Sequence, residues 1–159
     1  MRRSDREIKE FDDMVEVIKK CDVCRLALND EGYPYIVPLN FGMEIKQGQV
    51  VFYFHGANEG RKLELIAMDN RASFEMDCSH KLVTDLAKGM CTMEYESVIG
   101  RGRIEMVPEE EKYHALCVLM GQYHAEEFPF SKAAIPRTTV LKLTVEHMSG
   151  KHRKYHSAK

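Results

Sequence analysis

Residues 50–65, VVFYFHGANEGRKLEL, constrain the chain most, because a β-branched and aromatic run passes there into a helical pattern through small and polar residues. Val50 to Phe54 reads as a strand buried on both faces, and Leu63, Leu65, Ile66 and Ala67 suit a short helix over Lys62 to Ala67. Gly56, Ala57, Asn58, Glu59 and Gly60 join the two. A helix begun near Gly60 would turn unpaired N–H groups and a positive dipole end outward, and Arg61 and Lys62 in its first turn would add two full charges. Such a site suits a phosphate. The same two cations also suit a solvated pair opening a surface helix, and local sequence leaves both readings open.

A chain of 159 residues, 44% hydrophobic and 30% charged, has room for one core and reads as one domain over 1–159. A net charge of −2 gives no global field to gather nucleic acid or an anionic membrane, so any basic site must be local. No apolar stretch follows the first arginines and none approaches membrane-spanning length, so a soluble, cytoplasmic protein is expected. Five cysteines, an odd set, argue against a disulfide framework. Cys21 and Cys24 form a CxxC, but the spacing to Cys78, His80 and Cys91 fits no zinc module, so packing is favoured over metal or redox use.

Along the chain, Ser4 and Glu7 have capping-box spacing, and Ile8, Phe11, Val15 and Ile18 recur helically, predicting a helix from Asp5 to Lys20 over one mouth of a barrel. Val23–Leu28 and Tyr35–Phe41 read as a hairpin; Pro38 marks an edge or bulge, leaving the backbone of Leu39, Asn40 and Phe41 free for a ligand. Gln47-Gly48-Gln49 turns into the strand Val50–His55. Ala72, Phe74, Met76 and Cys78 alternate with polar residues as a half-buried strand, and Ser79–Met90 is expected to be an excursion loop. Thr92–Met106 reads as a long strand with a bend, bulge or close backbone approach at Gly100 and Gly102. Pro108 and three glutamates open a helix with a buried face of Tyr113, Leu116, Cys117 and Met120. His124 to Ile135 is irregular, with Phe128-Pro129-Phe130 a candidate lid; Leu141, Leu143 and Val145 mark a last strand. A flexible basic tail over 151–159 is expected, with His147, His152 and His156 solvated rather than metal-binding. About six mostly antiparallel strands with peripheral helices predict a mainly β fold, a small closed or split barrel.

Gly32-Tyr33-Pro34-Tyr35, Val37-Pro38-Leu39, Phe54-His55-Gly56-Ala57, Gly60-Arg61-Lys62-Leu63 and Arg71-Ala72-Ser73-Phe74 follow one another in a specific order. With Tyr95-Glu96-Ser97-Val98-Ile99, Gly100-Arg101-Gly102 and Val145 to Lys151, this pattern resembles the FMN-binding split-barrel family of pyridoxamine 5′-phosphate oxidase, and more closely its nitroimidazole-resistance reductase branch. The resemblance implies a homodimer with FMN in each groove between subunits. It implies Gly60, Arg61 and Lys62 at the phosphate, and Pro38, Leu39, Asn40, Phe41, Phe54, His55, Gly56 and Ala57 beside the ring and ribityl chain, with Ser97 and Val98 as further groove contacts.

His55 matches a histidine on the cofactor and substrate side of that groove, where it would either shuttle protons or hold the loop or flavin by a hydrogen bond. Gly60 stands where the oxidase has a small hydroxyl residue, and the oxidase's Arg-x-His substrate motif is missing, so vitamin B6 oxidation is not favoured. The expected activity is reduction of a nitroaromatic or other small electron acceptor. With no Gly-rich dinucleotide fingerprint, a nicotinamide donor, NAD(P)H, would visit the flavin transiently. The rival is a non-catalytic flavin, deazaflavin or haem binding protein.

Overall fold

A computed structural model describes residues 3–124, 129–130, 133 and 135–155. Its strands are β1 (Glu7–Ile8), β2 (Cys24–Asp30), β3 (Tyr33–Leu39), β4 (Gly42–Lys46), β5 (Gln49–Gly56), β6 (Arg71–Asp85), β7 (Met90–Met106) and β8 (Thr139–Arg153). They form one antiparallel sheet in the order β3-β2-β6-β7-β8-β5-β4, with β1 on β8, so eight strands replace the expected six. No ladder joins β3 to β4 among the described residues, and the barrel is not closed. Among the described residues three α-helices lie around it: α1 (Phe11–Lys20), α2 (Arg61–Met68) and α3 (Lys112–Gly121).

Local chemistry accounts for most boundaries. Glu31 and Gly32 (φ 48° and 90°) make the two-residue turn between β2 and β3, and Gln47 and Gly48 (φ 52° and 80°) make the turn between β4 and β5. Positive φ at both central residues matches the twist of a tight hairpin. Pro34 and Pro38 lie on β3, the sheet edge, where a missing donor costs no ladder bond. Sequence reading missed β4, which pairs Gly42 with Tyr53 and Lys46 with Gln49.

Five consecutive residues of β5, Val50 to Phe54, are buried, as expected of a strand covered on both faces. One face meets the barrel core, where Phe52 contacts Phe41 (ring centroids 5.6 Å) and Phe74 (5.0 Å). Val51 and Tyr53 instead join Ala115 and Leu116 of α3 in a second cluster. A Cβ on Gly42 would lie 2.3 Å from Leu119 Cα, so α3 approaches the backbone of β4 directly. The helix therefore buries Ala115, Leu116 and Leu119, while Tyr113, expected inside, is exposed.

Three other expectations are corrected. The capping box at Ser4 does not form: residues Ser4–Arg6 make one 3-10 turn, and Ile8 pairs with Gly150 as the end of β1, so the helix starts at Phe11. Ser79–Met90 is not a loop; β6 runs on to Asp85 and pairs with β7 through a bulge between Cys78 and Lys81, where Ser79 has φ 58°. Lys151 to Arg153 are not tail but the end of β8, paired with Ser97, Glu96 and Tyr95. Phe128 of the suggested lid and His156 lie outside the described residues. The bulge and close approach expected at Gly100 and Gly102 are present as a register shift between Arg101 and Gly102, where a Cβ on Gly102 would stand 2.0 Å from Thr144 O. No described helix is long and apolar enough to cross a membrane.

Candidate functional site

The loop between β5 and α2 is held from both sides. Gly56 pairs with Thr139 on β8, and the buried Thr139 Oγ1 donates to Asn58 Oδ1 at 2.8 Å. Gly60, with φ 129°, adopts a conformation suited to glycine, and its carbonyl accepts the Leu63 N–H at 2.9 Å as the helix begins. Gly56, Ala57, Gly60, Arg61 and Lys62 are thereby gathered at one helix start.

The two cations there differ. Arg61 is exposed and committed: Nη2 donates to Asp30 Oδ1 at 2.5 Å and Nη1 to Glu64 Oε2 at 3.2 Å. Those hydrogen bonds, Asp30 first, raise the guanidinium's pKa further above its already high value. Lys62 is half-buried, and no hydrogen bond or ion pair holds its ammonium among the described residues; burial alone pulls its pKa below the usual lysine value. Its Nζ fills the space beside Gly56, 2.9 Å from where a Cβ would be. A half-buried ammonium without a counter-ion among the described residues, beside a glycine and a helix start, is competent to receive an anion.

His55 is exposed on the opposite side of β5 from the fully buried Phe54. It borders a pocket of about 130 Å³ with Leu116, Leu119, Met120, Ile135 and Thr138, a mostly apolar wall with one imidazole. That composition suits a small, mostly apolar molecule with one hydrogen-bonding group.

The remaining sequence-predicted residues stand apart from the helix start within one chain. Leu39 pairs with Cys24, six residues along β2 from the Asp30 that Arg61 grips, so the two ends of the hairpin are roughly 20 Å apart. Pro38 and Asn40 are exposed, but Asn40 Nδ2 donates to Asp22 O at 3.1 Å. The backbone of Phe41 is not free as expected: its N–H donates to Tyr123 Oη at 2.9 Å, and its side chain is fully buried. Val98 is likewise core, while Ser97 lies on the outer face with Pro38, Arg25 and Asp77. Sequence reading missed Asp30, Asn58, Thr139 and Tyr123, which orient site residues; only Asp30, in a turn-forming run, carried any local signal.

The family model for pyridoxamine 5′-phosphate oxidase matches residues 10–152. No curated protein matches the chain. Among solved structures, a candidate 5-nitroimidazole antibiotic resistance protein from Bacteroides thetaiotaomicron is 33% identical, with a TM-score of 0.81 over 92% of this chain and 86% of that one. Two more distant structures share the fold. The flavocytochrome Anf3 from Azotobacter vinelandii is 19% identical, with TM-score 0.79 over 98% of this chain and 72% of its own. The FAD and heme binding protein from Mycobacterium smegmatis is 18% identical, with TM-score 0.80 over 97% and 76%. With the family model spanning nearly the whole chain and a relative at this identity covered almost end to end, the chain belongs to the pyridoxamine 5′-phosphate oxidase family.

Proposed function

We propose that this protein is an FMN-dependent oxidoreductase that reduces small electron acceptors of the nitroaromatic kind. The observation that carries the reading is Lys62, a half-buried ammonium without a partner among the described residues, packed against Gly56 at the start of α2. In this reading Lys62 and the first-turn N–H groups hold the cofactor phosphate, with Arg61 beside them. Bound flavin would supply the hydride. His55 would hold the proton that must accompany it, at the mouth of the apolar pocket that takes the acceptor. The likeness to the candidate Bacteroides 5-nitroimidazole antibiotic resistance protein supports this choice of acceptor.

A homodimer belongs to the same reading, because Pro38 and Ser97 lie far from Lys62 in one chain and a groove between copies would join such groups. Ile36 and Ile99, 60% and 53% exposed, sit on that same outer sheet face. The visible spectrum of the purified protein tests the cofactor, and turnover of a nitroaromatic with reduced nicotinamide tests the activity. Flavin bands with turnover are expected. Haem bands, or flavin without turnover of any acceptor, would overturn the enzyme reading, and a monomer in light scattering that retains stoichiometric flavin would overturn the dimer.

A further inference from the structure

The CxxC of the sequence does not act as a pair in the fold: Cys24 points into the core with no exposed surface, while the thiol of Cys21 meets that of Cys78. Both thiols donate to one acceptor, the carbonyl of Val17, Cys21 Sγ at 3.3 Å and Cys78 Sγ at 3.8 Å. Cys21 follows the last turn of α1, and Cys78 immediately precedes the β6 bulge. The two differ in access, since Cys21 is 3% exposed and Cys78 is half-buried. Polar groups gather around the accessible one. Ser79 Oγ lies 3.6 Å from Cys78 Sγ and donates to Glu96 Oε2 at 2.9 Å, and the Lys20 ammonium lies 2.8 Å from that same carboxylate oxygen.

From this juxtaposition we infer that Cys21 and Cys78 are a peroxide-sensitive dithiol that closes to a disulfide between α1 and β6. The Cys78 thiolate attacks one oxygen of hydrogen peroxide, the O–O bond breaks, and the leaving hydroxide takes a proton to become water. Cys78 is then a sulfenic acid. The Cys21 sulfur attacks it, the S–O bond breaks, and the Cys21 proton leaves with the hydroxide as a second water. Two thiols and one peroxide thus give one disulfide and two waters, the pair losing the two electrons that the peroxide gains. The order follows from access: burial, first of all, pushes the Cys21 thiol up and leaves it 3% exposed, whereas Cys78 is half-buried with a path to solvent. The bulge helps as well, because the register is already broken beside Cys78 and the sulfur can shift without loss of a regular ladder.

The test is mass spectrometry of the full-length protein after mild hydrogen peroxide treatment in the absence of any added reductant. The intact protein should lose two hydrogens and two of its five free thiols, both restored by reduction. Digestion with an endoproteinase that cuts before aspartate separates Cys21 from Cys24 at Asp22, and the linked peptides should carry Cys21 and Cys78. Cys78→Ser should not form this link, and Cys91→Ser, altering the exposed cysteine, should form it at the wild-type rate. A link between Cys21 and Cys24 would overturn the inference. So would Cys78 proceeding to sulfinic acid unlinked, or oxidation confined to Cys91.

Discussion

The ammonium of Lys62 occupies the space a side chain at Gly56 would need, with Nζ 2.9 Å from the position of a Cβ there. Gly56→Ala should therefore push the ammonium aside without disturbing the ladder to Thr139. FMN affinity in a fluorescence titration should fall about tenfold, the size of one weakened charge-assisted hydrogen bond, while riboflavin, which lacks the phosphate, binds as before. Equal losses for both ligands would place the methyl group against the ring instead.

Lys62→Ala removes the charge itself. A hydrogen bond to a charged group contributes roughly 1.5 to 3 kcal/mol, so FMN should bind about ten- to a hundredfold more weakly. Arg61 behaves differently because its guanidinium must leave Asp30 and Glu64 before it can turn to a phosphate. Asp30→Asn should accordingly tighten FMN binding severalfold, the opposite sign from Lys62→Ala.

Alkaline titration gives a third measurement. Burial lowers the pKa of Lys62 below the usual lysine value of 10.5, so the ammonium is fully present below that lowered pKa and lost as pH rises through it. FMN affinity should fall over that range relative to riboflavin, which shares the ring's own ionisation, and Lys62→Arg should remove the extra fall. In the free protein the unfolded chain binds the Lys62 proton more tightly, so this residue's contribution to stability rises with pH over the same interval.

Burial marks a strand in sequence, and strands that lack it were the ones hidden. Val50–Phe54 and Ala72–Cys78 were legible because one or both faces pack against something. The outer arm of β6 was not. Leu82 pairs with Met93 yet both stay exposed, so ladder hydrogen bonds hold the arm without imposing an apolar pattern. The face of α3 was read only in part, with Leu116 inside as expected but Tyr113 out, because the space left by Gly42, distant in sequence, decides which residues go inside. At the site, Gly60, Arg61 and Lys62 could be read from the strand-to-helix transition. The contrast between the committed Arg61 and the unpartnered Lys62 could not, since it depends on Asp30, 31 residues earlier.

Gly102→Ala tests the bend that joins the two halves of β7. Its Cβ would meet Thr144 O at 2.0 Å and Thr144 C at 2.9 Å, backbone atoms of a central strand that cannot rotate away. Overpacking of this kind should cost about 3 kcal/mol or more, visible in a denaturant midpoint. Gly121→Ala, with open space around the new methyl, should leave the midpoint nearly unchanged.

His55→Ala separates proton delivery from cofactor binding. The imidazole is exposed at the rim of the pocket made by Leu116, Leu119, Met120, Ile135 and Thr138, while the cations at the helix start lie beyond Gly56. Removing it takes away neither a phosphate contact nor a core side chain, so FMN affinity and the melting temperature should stay near wild type. Turnover should not. Reduction of a nitro group consumes protons along with the hydride, and a positioned general acid typically contributes about a hundred- to ten-thousandfold, so kcat should fall about a hundredfold, the lower end of that range. Stopped-flow traces assign the step: flavin reduction by the nicotinamide should keep its wild-type rate, and only reoxidation by the nitroaromatic should slow. Added imidazole should restore part of that second rate. A variant that reoxidises as fast as wild type would leave His55 as a surface residue of the pocket rim and move the proton source to solvent.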